Sequence, residues 1–179
     1  MKTIKLFFLF TLLLSFNRVL ASGCTGTEVP CSSASPFCTA ITYNFTNETS
    51  TCAPTGPDYG CLASQPNPVW YYMDVSTGGS FQINISQSSG QNGSGSGLDV
   101  DYALYGPFSS VSSGCSSINN GSSPIQCSYN TQAVETLGIG LPGGDPSGTM
   151  TTPAAAVAGQ FYIVLITNYS GSSGYITFN

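Results

Sequence analysis

No lysine, arginine or histidine occurs between Val19 and the last residue of the chain. Without an imidazole there is no general base for a Ser-His or Cys-His pair, and without lysine there is no Schiff base. The guanidinium and ammonium groups that neutralise nucleic acid phosphates are missing as well. The composition therefore predicts a protein that is not an enzyme and binds no nucleic acid.

The three cations of the chain, Lys2, Lys5 and Arg18, lie in an N-terminal segment that has the features of a secretory signal peptide. A charged start precedes the apolar stretch 6–14, which is too short to span a bilayer, and small residues follow it. Cleavage after Ala21 is expected. No later segment has the length of a transmembrane span, so the sequence predicts a secreted protein.

A second interpretation of this region involves Cys24, because residues 21–24 (Ala-Ser-Gly-Cys) approximate a bacterial lipobox. In that motif the cysteine is acylated and becomes the new N-terminus, which attaches the protein to the cell surface. Removing Cys24 from the seven cysteines leaves an even six. Against lipidation, alanine replaces the usual leucine and Arg18 separates the site from the apolar stretch. We therefore prefer simple secretion and keep lipidation as the alternative.

Seven cysteines in an exported chain indicate disulfides rather than a metal site, because no C-x-x-C pair is present. The local Ser/Asn/Gly loop between two of the cysteines favours one short-range pair. The predicted pairs are Cys115–Cys127, then Cys38–Cys61, then Cys31–Cys52. Six cysteines allow about fifteen pairings, so spacing alone leaves the connectivity open.

Alternation of apolar and polar residues predicts β-strands over most of the remaining chain. The patterned stretches are 43–45, 69–75, 81–86, 98–105, 160–168 and 175–178. The stretch 160–168 is apolar on both faces and is expected at the centre of a sheet. Loops rich in Gly, Ser, Pro or Ala are predicted at 86–97, 109–123 and 138–159. The predicted fold class is an all-β, antiparallel β-sandwich of jelly-roll or immunoglobulin-like form, with long loops and disulfides.

The length that remains after the signal peptide suits one domain with its own core. The predicted organisation is a signal peptide at 1–21, an N-terminal segment at 22–36, and a single β-sandwich domain at 37–179.

Asp99 and Asp101 are two residues apart on a predicted strand, so their carboxylates project from one face with Cα atoms roughly 7 Å apart. Such a pair is a candidate calcium site, completed by loop carbonyls and by Asp74 or Asp145. Solvated surface acids, or acids that cap loop amides, are the alternatives. Hydrolysis by the carboxylate pair is the weakest interpretation, because an open strand gives the two acids no evident pKa asymmetry. Calcium is the one cofactor that the sequence suggests.

Aromatic side chains on the less apolar strand faces are candidates for stacking on sugar rings. Trp70, Tyr72 and Tyr105 form this set. Ordinary core and cross-strand packing, which sheets favour, explains the same residues, and we prefer it.

Six Asn-x-Ser/Thr sequons are candidate glycosylation sites, although the high Ser/Thr content accounts for part of that number. They begin at Asn44, Asn47, Asn84, Asn92, Asn120 and Asn168.

Six sequence words follow one another in order from residue 36 to residue 170. They are PFC at 36–38, YGCL at 59–62, PNPVWYYM at 66–73, DVDYALYGPF at 99–108, CSY at 127–129 and FYIVLITNYS at 161–170. Together they resemble a secreted β-sandwich domain that recurs in large extracellular proteins of Bacteroidetes, including surface proteins of gliding and biofilm-forming species.

The resemblance implies a module without assigned catalysis that serves in cell-surface or matrix proteins. It also supports the pairs Cys38–Cys61 and Cys115–Cys127, because these cysteines lie within or beside matching words. Larger relatives usually end in a sorting domain, which this chain does not carry, so we expect either a different export route or a fragment of a longer protein. The expected function is a secreted or surface-attached structural or adhesion module, a matrix or extracellular filament component. Its expected partners are other surface or matrix proteins or further copies of itself. The alternative is a carbohydrate-binding module that takes a polysaccharide.

Overall fold

The computed structural model describes residues 26–38, 44–47, 49–140 and 152–179. Within these ranges the chain forms short and long strands and one α-helix, α1, at Val111–Asn119. The strands are β1 (Thr27–Glu28), β2 (Ser35–Pro36), β3 (Asn44–Asn47), β4 (Thr51–Cys52), β5 (Val69–Asp74), β6 (Phe81–Ser88), β7 (Val100–Phe108), β8 (Gln126–Ser128), β9 (Val134–Ile139), β10 (Phe161–Asn168) and β11 (Gly174–Phe178). Several predicted features, namely the signal peptide 1–21, Cys24, the residue Tyr43 and Asp145, lie outside the described residues.

Two sheets account for most of the strands. The five-stranded sheet has the order β2-β5-β10-β7-β8, and the four-stranded sheet has the order β3-β11-β6-β9, while β1 pairs with β4. All pairings within the two main sheets are antiparallel except that of β2 with β5. β10 lies at the centre of the five-stranded sheet, as its apolar character on both faces predicts. The predicted all-β sandwich with antiparallel sheets is therefore confirmed.

The inner faces of the two sheets pack against each other and form the larger hydrophobic core. Alternation places every second side chain of β5, β7 and β10 on this inner face. The core residues of this face are Tyr71, Met73, Val100, Tyr102, Leu104, Tyr162, Val164 and Ile166. The four-stranded sheet contributes Ile83, Ile85, Leu137, Ile139, Ile176 and Phe178. Burial of this apolar area is the main source of stability.

The outer face of the five-stranded sheet is covered by α1 and by irregular segments, and a second hydrophobic cluster lies beneath them. Its buried members include Cys31, Tyr59, Leu62, Trp70, Ala103, Tyr105, Cys115, Ile118, Ile163 and Leu165. The helix lies inside the segment 109–123 that the sequence predicts as a loop, so that prediction is wrong. Ser110 caps the helix through a reciprocal pair of hydrogen bonds with Ser113, which defines its start despite the Ser/Gly-rich composition.

The disulfides differ from all three predicted pairs. Cys31 is bonded to Cys115 and Cys61 to Cys127, while Cys38 is free and exposed. The pairs Cys115–Cys127, Cys38–Cys61 and Cys31–Cys52 are therefore wrong, although Cys52 is itself disulfide-bonded. The physical reason lies in the outer layer: α1 carries Cys115 to the N-terminal turn at Cys31–Ser33, away from the strand that holds Cys127.

The described part of the predicted N-terminal segment 22–36, residues 26–36, is integrated into the fold. β1 pairs with β4, β2 extends the five-stranded sheet beside β5, and Cys31 joins the segment to α1. Within the described residues no helix combines the length and the hydropathy that a membrane crossing requires.

Candidate functional site

A pocket opens at one end of the five-stranded sheet, where β10 ends and β7 begins. Asp101 in β7 pairs with Thr167 in β10, so the residue after β10, Tyr169, lies at the same end as Asp99 and Asp101. The pocket has a volume of about 320 Å³. Its lining consists of Leu62, Ala63, Ser64, Asp99, Asp101, Tyr129, Asn130, Thr131 and Tyr169.

The disulfide between Cys61 and Cys127 ties two walls of this pocket together. Residues 62–64 follow Cys61 directly, and residues 129–131 begin two positions after Cys127. The backbone N–H of Cys61 also donates to Cys127 Sγ at 3.0 Å. The preceding residue, Gly60, has a φ of +61°, and a Cβ there would lie 2.5 Å from Pro124 Cγ. Only glycine permits this close approach without displacement of Pro124.

The two carboxylates of the pocket are poorly satisfied. Asp101 is only 6% exposed. Among the described residues its one hydrogen bond is accepted by Oδ1 from the backbone N–H of Asn130, at 3.1 Å. The side chain of Asn130 in turn accepts from the N–H of Gln132 at 2.7 Å, which fixes the loop above β7. Asp99 Oδ1 is buried and has no hydrogen-bond partner within the described residues. Asp99 thus keeps one buried acceptor atom without a donor among the described residues, and Asp101 has a single donor.

Burial changes the acidity of these groups. Desolvation raises the pKa of Asp101 to about 6, with a further increase from the neighbouring charge of Asp99 and a decrease from the Asn130 hydrogen bond. Desolvation also raises the pKa of Asp99. Asp58 shows the opposite behaviour, because the hydroxyl of Ser123 and the N–H of Gly60 both donate to it and lower its pKa. The fold therefore supplies Asp58 with two hydrogen-bond donors, Asp101 with one and Asp99 Oδ1 with none among the described residues.

Two tyrosines flank the carboxylates and remain accessible to solvent. Tyr129 is 51% exposed and Tyr169 is 59% exposed, and both belong to the pocket lining. Large aromatic side chains that stay exposed beside a concave polar site are typical of binding surfaces. Neither residue was among the site residues predicted from the sequence. A signal for them was present in their position, because Tyr129 directly follows β8 and Tyr169 directly follows β10.

The predicted calcium pair, Asp99 and Asp101, is brought together as expected, but Asp74, one of the two suggested third ligands, is not, and the other, Asp145, lies outside the described residues. Asp74 pairs with Phe161 at the opposite end of β10, six residues from Thr167. That separation corresponds to roughly 20 Å along a strand. In the described part of the chain no third Asp, Glu, His or Cys joins the pair to form a metal-binding group. The remaining oxygen ligands for an ion would have to come from Ser64, Asn130, Thr131 or loop carbonyls.

The predicted sugar-stacking residues lie elsewhere, in the outer hydrophobic cluster. Trp70 is 3% exposed and donates from Nε1 to the carbonyl of Val29 at 2.9 Å. Tyr105 is fully buried, and its hydroxyl donates to the carbonyl of Asp58 at 2.9 Å. Tyr72 is half-buried and packs beside Phe161. The assignment of Trp70 and Tyr105 to a ligand surface is therefore wrong, because both stabilise the cover of the sheet.

The six sequons divide by exposure. Asn44, Asn84, Asn92 and Asn120 are exposed, whereas Asn47 and Asn168 are buried at 1% and 0% exposure. A glycan does not fit at the two buried positions in the folded chain. Glycosylation at the four exposed sequons stays a prediction.

Comparisons with known proteins give a likeness in structure but none in sequence. No family model matches the chain, and no curated protein sequence matches it significantly. The chain is similar in structure to the pre-peptidase C-terminal domain of collagenase from Bacillus anthracis, with 10% sequence identity and a TM-score of 0.40. The likeness covers 82% of this chain and 92% of that domain. Function is inferred below from the pocket itself.

Proposed function

We propose that this chain is a non-catalytic, extracellular adhesion module that holds its partner in the pocket at Asp99 and Asp101. The observation that carries the proposal is the pocket itself, where the carboxylates of Asp99 and Asp101 share one lining with the exposed rings of Tyr129 and Tyr169. Concave sites with a few convergent polar groups and aromatic walls are the usual form of ligand sites.

The disulfides support an extracellular location. Cys31–Cys115 and Cys61–Cys127 both close long stretches of chain, and such bonds persist in oxidising compartments. The N-terminal signal peptide predicted from the sequence points to the same compartment.

Binding without catalysis agrees with the chemistry of the pocket. Apart from the two carboxyl groups, whose pKa burial raises, the polar side chains of the pocket lining are hydroxyls and one amide. From Val19 onward the chain also lacks the histidine, lysine and arginine that most nucleophilic and acid-base mechanisms use.

A carbohydrate is the partner that the exposed rings favour over a protein surface. Tyr129 and Tyr169 present flat apolar faces of the kind that pack against the faces of sugar rings, and the carboxylates accept hydrogen bonds from hydroxyl or amino groups. Carbohydrate binding, the alternative that the sequence suggested, is then the means by which the module adheres.

A retention assay tests the proposed function. The secreted, disulfide-bonded protein is passed over a panel of immobilised polysaccharides and over extracellular matrix fractions, in parallel with Tyr129→Ala/Tyr169→Ala. Retention that drops about tenfold in this variant is expected. Val157→Ala, which shortens an exposed side chain that is not part of the pocket lining, is the matched control. Retention that is absent from the whole panel, or unchanged in the tyrosine variant, contradicts the proposal. Self-association in sedimentation velocity without any retention points instead to a filament subunit.

A further inference from the structure

The pocket carboxylates have no cationic side chain as a partner anywhere from Val19 onward. Eight acidic residues are present, and from Val19 onward no lysine, arginine or histidine accompanies them. A buried carboxylate without a donor or a counter-charge is unfavourable, because its hydration is lost and nothing replaces it. Asp101 is only 6% exposed, and its Oδ1 accepts one hydrogen bond, from Asn130 N–H. Asp99 is partly exposed, but its Oδ1 is buried and has no hydrogen-bond partner among the described residues.

Such an arrangement is unfavourable for the free protein and favourable for a complex. Local violations of the packing rules in natural proteins are concentrated at functional sites. The missing partner must supply positive charge and hydrogen-bond donors, because an ionised carboxylate accepts hydrogen bonds but cannot donate them. An ammonium group has both properties and three N–H donors, whereas a neutral hydroxyl supplies donors without charge.

The aromatic rings restrict the ligand further. Tyr129 and Tyr169 are about half exposed and lie in the same lining as the two acids. A cation held near aromatic faces is stabilised by the ring quadrupole, and a sugar ring can pack against the same faces. The pocket volume of about 320 Å³ falls in the range of small-ligand sites rather than of ion-sized cavities.

We propose that the pocket binds a sugar unit that carries a free ammonium group, as in an amino-sugar residue of a polysaccharide. This inference rests on the proposed function and specifies its ligand. The ammonium group donates to the carboxylate oxygens of Asp99 and Asp101 that face the pocket. The sugar ring packs on Tyr129 or Tyr169.

Calcium and a neutral sugar are the two competing occupants. Calcium uses six to eight oxygen ligands, and no third acidic side chain joins Asp99 and Asp101 in the described residues. A calcium ion would not pack against the apolar faces of the two tyrosine rings, as a sugar ring does. A neutral sugar would cover the carboxylates without neutralising them, so their burial would remain unfavourable. The amino sugar uses all four side chains.

Titration calorimetry with small, defined probes tests the inference on the secreted, disulfide-bonded protein. The probes are glucosamine, N-acetylglucosamine, ethanolamine and calcium chloride. Glucosamine is expected to bind at least about tenfold more tightly than N-acetylglucosamine, which has the same ring without the charge, because charge-assisted hydrogen bonds are the stronger ones. Asp99→Asn/Asp101→Asn is expected to remove that preference, and Tyr129→Ala/Tyr169→Ala to weaken glucosamine binding by a similar factor. Asp74→Asn, an exposed acid at the far end of the sheet, is the matched control and is expected to leave binding unchanged.

Each alternative result overturns a stated part of the inference. Equal binding of the two sugars removes the ammonium requirement and leaves the proposed function intact. Equal binding of ethanolamine and glucosamine removes the role of the sugar ring. Calcium binding that the double asparagine variant abolishes, with no response to glucosamine, replaces the amino sugar by the metal ion. Circular dichroism and melting curves of each variant establish that a loss of binding is not a loss of folding.

Discussion

The inner face of the five-stranded sheet packs against a second sheet, whereas its outer face is covered by α1 and irregular segments that disulfides join. The inner core contains apolar side chains from both sheets and no cysteine among its buried members. The outer cluster contains Cys31, Cys115 and Cys127 among its buried members. Regular strands bury one face through their period-two pattern, whereas the irregular segment 59–64 buries Tyr59 and Leu62 without a strand partner among the described residues.

The two faces therefore differ in what stabilises them. The inner core stabilises the sandwich through burial of apolar area, and the disulfides restrict the otherwise loosely held outer segments. The pocket is formed by those outer segments, with Asp99 and Asp101 supplied by the sheet. The binding site is therefore built where the local structure depends most on covalent links, and the following predictions test that dependence.

The largest effect is expected from Cys61→Ser/Cys127→Ser. This bond spans 66 residues, and the loop-closure estimate for its removal is roughly 4 kcal/mol of unfolding free energy. Urea denaturation measures the loss. Hydrogen exchange resolved by residue is expected to show weakened protection at 59–64 and 127–131, while β6 and β9 in the inner core remain protected.

Cys38→Ser is the matched control, because Cys38 is exposed and free. It is expected to leave the urea midpoint unchanged. Equal loss of protection in both sheets of the disulfide variant would show that the two faces unfold as one unit. That result would contradict a separate dependence of the outer segments on disulfides.

The second effect has the opposite sign and comes from the pocket. Asp101 has a pKa of about 6 in the folded protein, against an ordinary value of 3.8. The folded state therefore binds more protons than the unfolded state between these values, and stability increases as the pH falls through that window. The shift corresponds to about 3 kcal/mol at most, and Asp99 acts in the same direction. Asp58, whose pKa is lowered, acts in the opposite direction below about pH 4.

Asp101→Asn is therefore expected to stabilise the free protein at pH 7 and to flatten its stability curve between pH 7 and about pH 4. The amide oxygen can still accept from Asn130 N–H, so the loop contact is retained. Melting temperatures across a pH series measure this, with Asp74→Asn as control. A lower melting temperature for Asp101→Asn at pH 7 would mean that the carboxylate has a stabilising partner in the free protein.

The regular part of the fold was predictable from alternation, and the outer layer was not. The patterns of 69–75 and 98–105 gave the correct inward faces of β5 and β7, because strand geometry alone decides them. The stretch 160–168, apolar on both faces, gave the central position of β10. α1 was missed because serine and glycine dominate its composition. Val111, Cys115 and Ile118 have helical spacing, and Ser110 is an N-cap residue, so a weaker signal for the helix was present.

The site was predictable in part for the same reason. Asp99 and Asp101 share a face because of strand periodicity, and the structure places both in one pocket. Tyr129 and Tyr169 come from loops whose positions depend on tertiary contacts and on the Cys61–Cys127 bond. Disulfide connectivity was not predictable because short sequence separation favours Cys115 with Cys127, while the fold places these cysteines on different layers.

The smallest predicted effect concerns the helix that covers the outer face. Ser110 Oγ accepts from the N–H of Ser113, and Ser113 Oγ accepts from the N–H of Ser110, each at 3.1 Å. Ser110→Ala removes the cap and is expected to lower the unfolding free energy by about 1 kcal/mol. Ser116→Ala, at an exposed position inside α1, is the control and is expected to change stability by only a few tenths of a kcal/mol.

Ser110→Ala in a background of Cys31→Ser/Cys115→Ser shows whether the cap and the disulfide stabilise α1 independently of each other. If the bond already restrains the helix, loss of the cap in the intact protein frays only the first turn. Its effect is then larger once the bond is absent, and a double-mutant cycle gives a coupling energy different from zero. Additive effects would show instead that α1 is held chiefly by Ile118 and its contacts with the sheet. The outer face would then depend on apolar packing, as the inner face does, more than the distribution of cysteines indicates.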